Sequence, residues 1–130
     1  MTIPTPREEE IAKVLVNCAF KVHLELGPGL LERVYEVCLV HELQKAGLKV
    51  QRQVDIPIQY DGIVFDEGLR IDLLVEDCII VELKAVDTVN AVWEAQILSH
   101  LKLMKKNLGF LINFNLPLIK SGIKRYIKKH

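Results

Sequence analysis

Apolar residues recur at helical spacing near the start of the chain and predict an amphipathic helix. Thr5, Pro6 and Glu8 form a typical helix start, with proline in the first turn and glutamate closing a capping box. Gly27-Pro28 predicts the helix end, because glycine accepts a left-handed backbone and proline cannot continue the ladder. The predicted apolar face comprises Ile11, Val14, Leu15, Cys18, Val22 and Leu26.

A second helix is predicted from about Gly29 to Ala46, and an extended region follows it. From Leu48 to Tyr60 apolar and polar residues alternate in part, and Pro57 indicates a sheet edge or a bulge. Asp61-Gly62 is a turn signal, after which residues 63–65 begin a strand that Asp66-Glu67-Gly68 breaks or bulges. Two more apolar runs, 70–75 and 79–84, complete a predicted meander of three antiparallel strands.

The last third of the chain predicts a helix, a strand and a basic tail. The helix is expected from about Val89 to Lys106, with Gly109 ending it. A short buried strand, 110–114, follows, and then a polar turn at 120–122. The predicted order is α-α-β-β-β-α-β, in which a crossover helix leads to the last strand of a mixed sheet.

Charged residues interrupt the two strands that otherwise look most buried. Asp72 lies in the first, and Glu82 and Lys84 point to one face of the second. An isolated buried carboxylate costs several kcal/mol, so such groups are normally paired or bound to a metal. Two carboxylates and an ammonium suit a site for Mg²⁺ or Mn²⁺ and a phosphate. A structural Glu–Lys ion pair is the alternative, and the spacing leaves both open.

The metal hypothesis requires one particular register between the strands predicted at 70–75 and 79–84. A plain two-residue turn at Glu76-Asp77 pairs Asp72 with Val81 and separates the carboxylates. A three-residue loop or a bulge pairs Asp72 with Glu82 instead. We therefore expect the loop or the bulge, with a residue in the left-handed region.

The same residues resemble a known superfamily. Asp72, followed ten residues later by Glu82-Leu83-Lys84, resembles the split Asp…Glu-X-Lys signature of the PD-(D/E)XK nucleases. Upstream, Gly29, Glu32 and Tyr35 match the Gly-x-x-Glu-x-x-Tyr motif of the GxxExxY proteins, a small bacterial family in that superfamily. One departure is that an isoleucine, not a proline, precedes Asp72.

The resemblance implies an α/β fold with an α+β mixed sheet. This is the restriction-endonuclease-like α-β-β-β-α-β core with an additional N-terminal helix, in a single domain of residues 1–130. It also implies a Mg²⁺- or Mn²⁺-dependent nuclease. The implied metal ligands are Asp72, Glu82, Glu32 and the carbonyl of Leu83.

Three further roles follow from the resemblance. Lys84 would position the attacking water or stabilise developing charge, and Gln96 would orient a phosphate or the lysine. Tyr35 would orient Glu32 or a phosphate, unless its ring only fills the core. His100 lies one helical turn from Gln96, but we expect it to be exposed.

Charge is neutral in sum but uneven along the chain. Lys and Arg number 17, as do Asp and Glu, yet no acid follows Glu94. This asymmetry suggests an electrostatic footprint for a phosphate backbone, the alternative being a solvated helix face and a solubilising tail. The cations expected to contact substrate are Lys102, Lys105, Lys106, Lys124 and Arg125.

Composition narrows the setting and the partners. The three cysteines lie without Cys-x-x-Cys spacing, which argues against a disulfide framework or a zinc site and favours a reducing cytoplasm. No apolar run reaches the ~20 residues needed to span a membrane. The expected partner is nucleic acid, DNA in preference to RNA, with a homodimer left open. A nuclease-fold module that binds without turnover and a purely structural protein are the competing functions.

Overall fold

Three helices and seven strands make up the chain in a computed structural model, which describes residues 2–65 and 67–130. Asp66, part of the predicted strand break, lies outside the described residues. The helices are α1 (Pro6–Leu26), α2 (Glu32–Lys45) and α3 (Val92–Met104). The strands are β1 (Val50–Asp55), β2 (Ile58–Tyr60), β3 (Ile63–Phe65), β4 (Arg70–Val75), β5 (Ile79–Lys84), β6 (Leu108–Asn113) and β7 (Ile123–Ile127), with a 3-10 turn at Ile119–Gly122.

The first helix forms as its caps predict. The Thr5 hydroxyl accepts the Glu8 backbone N–H at 3.1 Å, and the Glu8 carboxylate accepts the Thr5 N–H at 2.8 Å. At the other end Gly27 has φ of 68°, which ends the helix at Leu26. The reciprocal cap satisfies two backbone N–H groups that the helix start leaves without partners.

A five-stranded mixed sheet in the order β1-β4-β5-β6-β7 forms the centre of the fold. β4 and β5 are antiparallel, whereas β5 and β6 are parallel and joined through α3. β2 and β3 form a separate two-stranded hairpin around the predicted Asp61-Gly62 turn. The expected α+β mixed sheet with a crossover helix is confirmed; the three-strand meander consists of β1, β4 and β5, with that hairpin inserted.

Helices cover both faces of the sheet. α1 and α2 pack on the face that carries Leu73, Val81 and Leu83, while α3 packs on the face that carries Leu74 and Ile80. Because side chains alternate along a strand, β5 is buried on both faces up to its last residue. Glu82 and Lys84 therefore lie on the central strand of the sheet, and Asp72 lies on its neighbour β4.

Two expectations about the last third of the chain are wrong. Gly109 does not end α3; it lies inside β6, where a Cβ would approach Ile97 Cδ1 to 3.1 Å, so glycine allows the helix to pack closely on the sheet. Lys105, with φ of 55°, ends the helix instead. The basic tail forms β7, which pairs antiparallel with β6.

α2 begins three residues later than predicted, at Glu32. Gly29 has φ of 100° and belongs to the loop between α1 and α2. Among the helices in residues 2–65 and 67–130, none has the length and apolarity required to cross a membrane.

Candidate active site

The β4–β5 connection sets the two strand carboxylates on one face. Glu76 and Asp77, with φ of 50° and 55°, form a two-residue turn closed by the Cys78 N–H donating to the Val75 carbonyl at 3.0 Å. The ladder nevertheless pairs Val75 with Ile79, so Cys78 is an extra, bulged residue.

This bulge aligns Asp72 with Glu82. The ladder continues through the Leu73–Val81 pair, and the next position along sets Asp72 opposite Glu82. The Asp72 carboxylate accepts the Leu83 backbone N–H at 2.7 Å. The expected bulge with left-handed residues is confirmed.

The pKa values of all three candidate carboxylates, Asp72, Glu82 and Glu32, are raised above the ordinary ones. Burial raises the pKa of Asp72, and the Leu83 N–H opposes part of that rise. Burial also raises the pKa of Glu82, whose side chain His100 contacts. The pKa of Glu32 also rises, first through partial desolvation, although the residue as a whole is exposed, and second through the charge of Asp72. The expectation that at least one pKa is raised is confirmed, with burial contributing more than repulsion.

Lys84 does not neutralise Glu82 through an ion pair. Its Nζ lies 5.2 Å from the centroid of the Trp93 ring, a cation–π contact, and in the described part of the chain it forms no salt bridge. The contact holds the ammonium near the carboxylates without a direct ion pair, and its charge opposes part of the rise in their pKa values. This arrangement favours the metal hypothesis over the structural Glu–Lys pair.

His100 is the contact partner of Glu82 that the sequence did not identify. Its Nδ1 lies 3.1 Å from Glu82 Oε1, and its side chain is only 12% exposed, so the expectation that it is exposed is wrong. Trp93, Gln96 and His100 follow one line of α3 at spacings of three and four residues. Gln96, between the other two on this line, is exposed.

Glu32 begins α2 and is exposed at the margin of this cluster. One turn later Glu36, only 5% exposed, accepts hydrogen bonds from Arg52 at 2.7 Å and Gln53 at 2.6 Å. Gln53 also opposes part of the rise in the pKa of Asp72, and its φ of 52° is left-handed in the middle of β1. Left-handed backbone at a residue other than glycine is strained and is often found at functional sites.

Tyr35 is fully buried and serves the fold. Its hydroxyl donates to the Gly27 carbonyl at 2.6 Å and accepts the Leu30 N–H at 3.1 Å. Its ring stacks on Phe114 with centroids 4.6 Å apart. The position supports the core-filling alternative over contact with a phosphate, because no surface of the side chain is open to substrate.

The cations of the last third do not gather beside the carboxylates. Lys106 lies 3.5 Å from Asp77, at the far end of β5, and Arg125 lies 2.5 Å from Glu9 of α1. Lys102 and Lys105 are exposed near the end of α3. Lys124 lies on the Glu82 face of the sheet by its register, so the structure does not bring the five cations together at one place.

The donor atoms suit a hard divalent ion. Asp72 and Glu82 offer carboxylate oxygens, and the Leu83 carbonyl points to the β4 side because its N–H does. Within residues 2–65 and 67–130 no three His, Cys, Asp or Glu side chains are grouped closely enough to hold a metal. Mg²⁺ is commonly bound through one or two carboxylates with several waters, and the two facing carboxylates fit that pattern.

Comparison with known families agrees with this geometry. A sequence model of the PD-(D/E)XK nuclease superfamily matches residues 9–126, from α1 to β7. The chain belongs to this superfamily. Searches of curated proteins and of solved structures gave no match. PD-(D/E)XK nucleases usually use divalent metal ions, which is consistent with the paired carboxylates on β4 and β5.

Proposed function

We propose that this PD-(D/E)XK protein is a nuclease that hydrolyses phosphodiester bonds with Mg²⁺ or Mn²⁺. The observation that supports this most directly is the pair of carboxylates Asp72 and Glu82, aligned on one face by the Cys78 bulge. Burial raises the pKa of each, so a divalent cation would relieve a real cost. Within residues 2–65 and 67–130 neither carboxylate forms an ion pair with a lysine or an arginine, which a structural network would provide.

The proposed ligands are Asp72, Glu82 and the Leu83 carbonyl. Glu32, whose pKa the charge of Asp72 raises, is proposed as a further ligand. A bound Mg²⁺ or Mn²⁺ supplies Lewis acidity and lowers the pKa of a bound water. Lys84, held on Trp93, positions that water or stabilises negative charge on the phosphate oxygens. Gln96 orients the phosphate from α3.

His100 has a positioning role through Glu82. The contact between His100 Nδ1 and Glu82 Oε1 fixes the rotamer of the carboxylate. The other oxygen, Oε2, then keeps one orientation for the metal. Gln53, on β1, hydrogen-bonds Glu36 and lies near enough to Asp72 to lower its pKa, which supports a similar role beside Asp72. Both are supports for ligands rather than ligands themselves.

The assignment to the GxxExxY family within the superfamily is also a proposal, supported by what its three motif residues do. Gly29 makes the turn with φ of 100°, and its N–H donates to Asn115 Oδ1 at 2.9 Å. Tyr35 fastens the same loop through Gly27 and Leu30. Together they fix the start of α2, where Glu32 lies close enough for the charge of Asp72 to affect its pKa.

A cleavage assay tests the proposal. The purified protein is incubated with single- and double-stranded DNA and RNA in Mg²⁺, Mn²⁺ or EDTA, and its mass in solution is measured as monomer or homodimer. We expect metal-dependent cleavage, with DNA preferred. Glu82→Gln should abolish it, while Glu10→Gln, on the exposed surface of α1, should not.

Two results would count against the nuclease. Nucleic acid bound but never cleaved, with no calorimetric signal for either metal, would favour the binding module. Equal cleavage by the parent and Glu82→Gln would indicate a contaminating activity.

A further inference from the structure

A cavity of about 330 Å³ lies next to the proposed active site, between the start of α3 and strands β6 and β7. The carboxylates do not line it, but Trp93 does, and the Trp93 ring also contacts Lys84 of the proposed site. Its lining combines aromatic, basic and acidic groups: Asn90, Trp93, Glu94, Leu111, Lys124 and Tyr126. None of the proposed catalytic roles uses it.

The sheet register relates the cavity to the metal ligands. Glu82 pairs with Leu111 on β6, and Leu111 pairs with Lys124 on β7. Paired neighbours point to the same face, so Glu82 and Lys124 lie in one row on the α3 side. Strands are spaced about 4.8 Å apart, which puts the two positions roughly 10 Å from each other.

The aromatic side chains provide surfaces for stacking. Trp93 and Tyr126 are both half-buried, so each ring is fixed by packing yet reaches the cavity. Trp93 also carries Lys84 at 5.2 Å, which couples the cavity wall to the residue proposed to act on the phosphate. Nucleobases stack on such rings with little regard to sequence.

We propose that this cavity takes one unstacked nucleotide of the substrate, next to the phosphate that is cleaved. The base lies against Trp93 and Tyr126, and its phosphate meets Lys124. Glu94 at the rim offers an acceptor for exocyclic amino groups of the base. The inference rests on the proposed nuclease function and adds a preference for unpaired or frayed strands, because a base within a duplex stack cannot enter.

The chain carries a built-in reporter, since Trp93 is its only tryptophan. Short single-stranded DNA and RNA oligonucleotides are titrated in EDTA, so that no cleavage occurs. We expect saturable quenching of Trp93 fluorescence by at least one of them. A duplex of the same sequence should quench at least tenfold more weakly.

Variants of exposed lysines test the phosphate contact without endangering the fold. Lys124→Ala should weaken binding by about tenfold and reduce the salt slope by about 0.7, the value for one contact on a single strand. Lys124→Arg should restore both. Lys120→Ala, an exposed lysine in the 3-10 turn, should behave like the parent.

The outcomes separate the cavity from the catalytic proposal. Oligonucleotide binding seen by anisotropy with unchanged Trp93 fluorescence, or quenching indifferent to Lys124→Ala, overturns the nucleotide cavity. A protein that cleaves without such quenching refutes the cavity alone. Quenching that depends on Lys124, in a protein that never cleaves, supports the cavity and refutes only the nuclease activity.

Discussion

Asp72 and Glu82 are residues whose charge opposes folding. Their pKa values in the folded chain are raised above the ordinary ones, chiefly by burial. Between the ordinary and the raised value, the folded chain holds protons that the unfolded chain has released. Stability in the absence of metal therefore falls as pH rises through that window.

This sign gives a prediction for Asp72→Asn. In EDTA the variant should melt above the parent at pH 7, and the difference should shrink as the pH is lowered toward 4. Its metal affinity should fall by more than about 100-fold, since even supporting residues are worth 10–100-fold. Melting curves over pH, with and without Mn²⁺, measure both effects, and Asp61→Asn on an exposed turn is the matched control.

If Glu82 belongs instead to a structural ion pair, Glu82→Gln should destabilise the fold. The expected loss is about 3–5 kcal/mol of unfolding free energy, as when one partner of a buried pair is removed. That loss, combined with a parent protein whose melting does not respond to metal, would remove the basis for the metal site.

His100 offers a second prediction at the scale of single residues. His100→Ala should lower metal affinity and cleavage about 10–100-fold, because Glu82 loses the contact that fixes its rotamer. His100→Asn, whose side-chain nitrogen lies near the position of Nδ1, should recover part of the loss. His41→Ala, on the exposed side of α2, should leave both quantities unchanged, as measured by calorimetry and initial rates.

Among the elements, the β4–β5 hairpin shows that the site depends on register rather than on sequence spacing. Removing Cys78 deletes the bulge but leaves the Glu76-Asp77 turn, and Val75 can still pair with Ile79. We expect the deletion variant to bind metal within a few-fold of Cys78→Ala, which keeps the chain length. A deletion variant that remains folded yet no longer binds metal would show that the twist of the bulge is itself required.

The connection between α1 and α2 depends on one hydroxyl. Tyr35→Phe leaves the Gly27 carbonyl and the Leu30 N–H without their partner, and should cost about 1–3 kcal/mol of unfolding free energy. Tyr60→Phe, 72% exposed in the β2–β3 hairpin, should change stability by less than about 0.5 kcal/mol. Denaturant titrations measure both; a raised KM at unchanged stability would instead assign Tyr35 to substrate binding.

At the scale of the whole molecule, the local pattern of apolar and polar residues predicted most helices and strands, but not the edge strand β7 or the place of Gly109. The capping box of α1 and the alternation in β5 are readable because adjacent residues decide them. β7 was missed because an edge strand has one neighbour, so Lys124 and Arg125 can occupy opposite faces without disturbing a core. Gly109 was misread because its reason is Ile97, a residue on another element.

The candidate site was predictable to a similar extent. Asp72, Glu82 and Lys84 stand out as charges in apolar strands, and the family resemblance supplied Glu32. His100 and Gln53 were missed because their contacts join elements far apart in the sequence, and no local period marks them. The separation of Lys106, Lys124 and Arg125 was not predictable for the same reason, since sequence position does not tell which face a cation occupies.

The charges on β7 have a consequence for solubility. β1 and β7 are the outer strands of the sheet in the described part of the chain, and outer strands offer backbone groups to which another copy can pair. The left-handed backbone of Gln53 distorts β1, whereas β7 carries a lysine and an arginine on opposite faces. Replacing Lys124 and Arg125 together with threonine should promote aggregation, visible by light scattering, while Lys120→Thr should not. The side chain proposed to hold a phosphate thus also keeps copies of the protein apart.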